Sequence, residues 1–63
     1  MFWLIHYSQN TDDGRELSAN AVIAFHPAQW LLGVIQEFPE ASTKLLFAMG
    51  IEEDLFQKLS QEL

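Results

Sequence analysis

At 63 residues the chain is short enough that a core of its own buries only about 60% of the surface its unfolded form exposes, so it is marginal as a lone unit. It has no cysteine, which excludes disulfides, thiolate zinc sites and cysteine nucleophiles, and nothing in it requires an oxidising compartment, so a cytoplasmic location is expected. Nine acidic residues against three basic ones give a net charge of −6, which repels phosphate backbones and anionic headgroups and excludes nucleic-acid or membrane binding through a basic patch.

Met1 to Ile5 is apolar, but the run stops at His6 and lacks a basic flank, so it reads neither as a membrane span nor as a signal peptide. Phe2 to Tyr7 is aromatic and β-branched enough for a strand, with Phe2, Leu4 and His6 on one side and Trp3, Ile5 and Tyr7 on the other. Both sides are apolar, as expected of a central strand covered on each face. Ser8 to Ser18 is polar and contains Asp12-Asp13-Gly14, which predicts a long hairpin loop. Ala19 to Phe25 is the second strand. At Phe25-His26-Pro27-Ala28-Gln29-Trp30 alternation gives way to a helical period, with proline at the first helical position. The helix runs from Pro27 to about Phe38 with Trp30, Leu31, Val34, Ile35 and Phe38 as its apolar stripe, and Leu32 lies off that stripe. Pro39 stops it. Thr43 to Met49 makes a third strand, with Leu45, Phe47 and Met49 expected on one side and Leu46 and Ala48 on the other. A second helix begins near Glu52, its acidic first turn favoured by the helix dipole, and Ile51 is placed to staple onto Phe56.

The order β-β-α-β-α predicts an α+β fold in one domain, residues 1–63. Docking the third strand beside the first makes every neighbouring pair antiparallel and centres the most apolar strand, giving a three-stranded sheet of order 2-1-3. The aromatic strand, Asn20-Ala21-Val22-Ile23, His26-Pro27-x-x-Trp30-Leu31 and the acid-started helix together resemble small uncharacterised proteins of phages and bacterial genomes. The resemblance covers most of the chain and implies the same element order and a phage or mobile-element origin. Its motifs are structural, so it implies no functional residue.

Few groups carry chemistry. His6 has no carboxylate to orient it as a base and is expected to be hydrogen-bonded within the fold or at an interface. Asp12-Asp13-Gly14 opens like a calcium loop but lacks the later oxygen ligands and terminal glutamate. No metal, cofactor or enzymatic motif is expected. His26 sits at the cap of the first helix, where with Pro27 it is expected chiefly to shape the junction, and where the amides of Ala28 and Gln29 also offer an anion site. With Trp30, Arg15 and Lys44 it forms the candidate ligand site, for an anionic, nucleotide-like molecule held by an oligomer. Two acidic patches, Asp12 with Asp13 and Glu52 with Glu53 and Asp54, are candidate surfaces for a basic protein. The sheet also carries more apolar side chains than two helices cover if both pack on one face. A homodimer through the other face, carrying Trp3, Ile5 and Tyr7 or their opposites, is therefore expected. The function expected is that of a non-enzymatic acidic binding protein, including an inhibitor of a host or defence protein.

Overall fold

The structure, a computed structural model, describes residues 1–63. Strand β1 (Phe2–Asn10) is followed by β2 (Glu16–Ile23), helix α1 (Pro27–Glu37), a 3-10 turn (Pro39–Ala41), β3 (Lys44–Ile51) and helix α2 (Glu53–Glu62). The sheet order is β2-β1-β3 and both pairings are antiparallel. The α+β fold and the 2-1-3 order expected from the sequence are what the chain adopts.

The hairpin differs from its expected outline. Pairing continues through Ser8–Ser18, Gln9–Leu17 and Asn10–Glu16, so the strands absorb most of the polar stretch assigned to a loop. Polar side chains do not prevent an antiparallel ladder from continuing where one side faces water. The remaining turn is tight: the Gly14 N–H donates to Thr11 O at 3.0 Å and the Thr11 N–H to Arg15 O at 2.7 Å. Gly14 has φ 85°, the left-handed conformation that glycine adopts freely. The third strand also runs further than expected, through Gly50 to Ile51.

The two helices lie on opposite faces of the sheet and toward opposite edges. On the face of Trp3, Ile5 and Tyr7, α1 crosses β1 and β3, with Tyr7 and Trp30 rings 4.9 Å apart and Trp3 against His26 at 5.5 Å. On the face of Phe2, Leu4 and His6, α2 crosses β1 and β2, and Phe2 meets Phe56 at 4.4 Å. This placement corrects the expected dimer surface. Ile5 is 0% exposed and Trp3 and Tyr7 are partly covered, because α1 of the same chain occupies their face.

A register shift between His6 and Tyr7 leaves Leu46 unpaired in β3. Phe47 pairs with His6 whereas Leu45 pairs with Tyr7, so Leu45 and Phe47 fall on opposite faces instead of sharing one. The bulge moves Leu45 under α1 and leaves Phe47 and Met49 on the half-face that α2 does not reach.

Burial is sparse. Only five residues are buried, and Ile5 and Ile23 are the hydrophobic pair at the centre. The radius of gyration is 12.2 Å, against about 10.6 Å for a compact domain of this length. Accessible area is 4634 Å², where a monomer of 7.2 kDa ordinarily exposes about 4,100 Å². The subunit is elongated and under-covered.

Candidate functional site

The α1 start is built from the junction seen in the sequence. Pro27, buried and without an N–H, occupies the first helical position, and His26 is the extended N-cap. His26 Nδ1 accepts from the Ala28 N–H at 3.0 Å, so that ring nitrogen carries no proton. The Gln29 and Trp30 N–H groups both donate to His26 O, at 3.0 and 3.2 Å. The amides expected to hold an anion are thus already engaged within the chain. Histidine here does the work usually given to Ser, Thr, Asp or Asn at a helix cap.

The other proposed ligand-site residues lie elsewhere. Arg15 is in the hairpin tip beyond Asn10, separated from the Trp3–His26 contact by the run of β1, roughly 24 Å at about 3.4 Å per residue. Its Nε donates to Asp13 Oδ2 at 2.9 Å. Lys44 pairs with Ser8, towards that same far end. Trp30 packs against Tyr7 with the rings tilted by 56° and lines a shallow depression of about 230 Å³ with Phe25, Gln29, Gly33, Val34 and Glu37. The charged group at that depression is a carboxylate, which repels an anion. A second shallow depression, about 290 Å³, is lined by Asn20, Ala21, Val22, Ser60 and Leu63 and contains no charged side chain. The structure does not bring His26, Trp30, Arg15 and Lys44 together.

The acidic patches are equally separate. Asp12 and Asp13 sit at the β1–β2 turn, while Glu52, Glu53 and Asp54 follow β3 at the opposite end of a molecule 37 Å long. Asp13 accepts from the Thr11 hydroxyl and from Arg15, and these bonds hold its carboxyl below the ordinary aspartate value. The carboxylates of the α2 start make no capping bond to their own helix. His6 donates from Nδ1 to Asn20 Oδ1 at 2.6 Å, an internal bond of the kind expected for it. No group of three or more His, Asp or Glu side chains converges as a metal site. No helix is long and apolar enough to cross a membrane.

Comparison with protein-family models, curated proteins and solved structures finds no match to this chain.

The most developed surface is apolar and was not singled out by sequence reasoning. Phe47 is 52% exposed and Met49 42%, side by side on the open half-face of β3, with Leu46 protruding at the bulge. Across the edge, α1 presents Leu32, Ile35 and Phe38, all exposed. The groove shared with Phe25 marks one flank of α1; helical periodicity puts Ile35 on the other flank, while Leu32 points away from the sheet. One sequence signal pointed here: Leu45 to Ile51 contains no charged or polar side chain, whereas each stretch of similar length in β2 contains several.

Proposed function

We propose that this is a non-enzymatic acidic interaction protein, a homodimer whose apolar surface is satisfied by self-association and whose acidic ends take a basic surface on another protein. The observation behind this reading is the imbalance of its apolar side chains. Ile5 and Ile23 are buried, while Leu46, Phe47 and Met49 of β3, and Leu32 and Phe38 of α1 on the opposite face of the sheet, stay about half exposed. An exposed apolar cluster such as that of β3 marks a protein contact. The net charge of −6 keeps the assembled protein soluble and biases it toward basic partners through long-range attraction. A cytoplasmic inhibitor that occupies a host or defence protein is the narrower form, carried by the resemblance to phage proteins.

The acidic ends are tested separately because they lie at opposite ends of the molecule. Immobilised wild-type protein is compared with D12N/D13N and with E52Q/E53Q/D54N for proteins retained from a cell lysate at low salt. The expected result is that one substitution set releases a basic protein that the wild type holds, with the thermal midpoint unchanged. Equal retention by all three proteins removes the acidic-surface reading.

A further inference from the structure

The free edge of β3 and the half-face beside it form one surface, and its residues suit a second copy of the same strand. β3 pairs only with β1, so its outer N–H and C=O groups have no strand partner. Edges left in water are normally blunted by charge, proline or a bulge. Here the bulge is confined to Leu46, and Phe47–Ile51 is regular, uncharged and free of proline. Paired antiparallel with itself about Met49, that stretch sets Phe47 against Ile51 and Met49 against Met49 on the face of Leu4. It sets Ala48 against Gly50 on the other face. Large groups meet on the uncovered half-face, and small ones meet on the face of α1. Centring on Ala48 instead draws the bulged Leu46 into the ladder opposite Gly50.

Charge and area agree with this occupant. In the Met49-centred arrangement Lys44 of each copy comes opposite the Glu53–Asp54 start of α2 in the other, so the strand's one cation meets the acidic cluster twice by symmetry. The excess of accessible area over a compact monomer is about 500 Å², and a stable dimer buries about 800 Å² per partner. Side chains the size of Phe38 and Phe47 bury about 150–250 Å² when fully covered, so at half exposure each still offers on the order of 100 Å². Phe47, Met49, Leu46 and the exposed flank of α1 supply an area of the size required.

We infer that two copies join β3 to β3 about a two-fold axis at Met49, forming a continuous six-stranded antiparallel sheet. This rests on the reading of the chain as a dimer and adds where and how it dimerises. The lack of native cysteine makes a single introduced thiol a clean reporter. At the two-fold position, facing Cα atoms lie about 4.5–5.5 Å apart, within disulfide range. Met49→Cys is compared with Ala19→Cys on the outer strand β2, both checked for native circular dichroism, by sedimentation and by non-reducing gel after mild oxidation. The expected outcome is a wild-type dimer at tens of micromolar, with Met49→Cys cross-linking at least tenfold faster than Ala19→Cys. A wild-type dimer in which Met49→Cys cross-links no faster than Ala19→Cys overturns β3 pairing and leaves the dimer reading in place. A wild-type monomer, including one whose β3 takes a strand from a different protein, overturns both.

Discussion

The two edges of the sheet face water in opposite ways. Strand β2 sets Glu16, Ser18 and Asn20 on one side against Leu17, Ala19 and Ala21 on the other; Glu16 to Asn20 are exposed, and α2 packs on the polar-residue side towards Val22. Strand β3 carries Leu45, Leu46, Phe47, Met49 and Ile51 with a single lysine at its start, and its Phe47–Met49 side lies open. Both edges flank the same central strand and both have a helix over one face. The difference lies in what the uncovered half-face contains. On β2 it is alanine, with one exposed large side chain, Leu17, near the hairpin. On β3 it is phenylalanine and methionine, which lose about 25 cal/mol for every Å² they keep in water. An edge written like β2 is finished by solvent, and one written like β3 leaves the apolar area that the proposed self-association covers.

The largest expected effect comes from removing what both edges lean on. Ile5 is the one fully buried large side chain, at the centre of β1 between Ala21 and Ala48. Ile5→Ala removes about 2–5 kcal/mol, from a domain whose total stability is at the low end of about 5–15 kcal/mol. The expected outcome is loss of a cooperative thermal transition by circular dichroism in both the associated and the dilute protein. If the variant melts as the wild type does, the core lies elsewhere.

A matched pair of lysines separates the edges. Phe47 and Leu17 are both about half exposed, at 52% and 59%, on β3 and β2 respectively. Lysine on an edge strand opposes strand addition. Phe47→Lys is expected to weaken self-association at least tenfold, about 1.4 kcal/mol, while Leu17→Lys leaves it unchanged. Sedimentation across a dilution series reads both. Equal effects at the two positions would make the contrast between the edges irrelevant to association.

Much of the fold was legible before any coordinates, for identifiable reasons. Pro27 and Pro39 bracket α1, and the two-sided apolar run of β1 puts it at the centre, which forces the order 2-1-3. The hairpin was less legible because Ser8, Gln9, Asn10 and Ser18 have no apolar alternation, although their backbones pair as well as any. The bulge at Leu46 was not legible at all: an inserted residue changes which face Phe47 occupies without changing composition. The side each helix takes was hidden for the same reason, since both sheet faces are apolar. That is why Trp3, Ile5 and Tyr7 looked available when α1 covers them. At the helix start the sequence offers two readings, a junction shaped by His26 and Pro27 and an anion site, and the His26 imidazole satisfies the Ala28 amide that an anion would have used.

The smallest expected effect lies farthest from the apolar edge, at the hairpin tip that closes the solvent-finished side. Asp13 accepts from the Thr11 hydroxyl, the Arg15 backbone N–H and the Arg15 side chain, and its carboxyl titrates below its ordinary value for those reasons. A carboxylate with a depressed folded-state value contributes fully above the unfolded value, and its contribution is lost as pH falls through the lower folded value. The turn should therefore be insensitive to pH from neutral down to the ordinary aspartate range and loosen only below it. Both Asp13 and Arg15 are exposed, so the pair is screened and adds little to global stability. The effect belongs in local observables: amide exchange at Gly14 and Arg15 should quicken below that range in the wild type, after correction for the intrinsic pH dependence of exchange. Asp13→Asn should show the faster exchange at every pH and no acid step. An identical acid step in Asp13→Asn would assign the titration to another group. A step that also changes dimerisation would mean that the two edges are coupled through β1, which pairs with both.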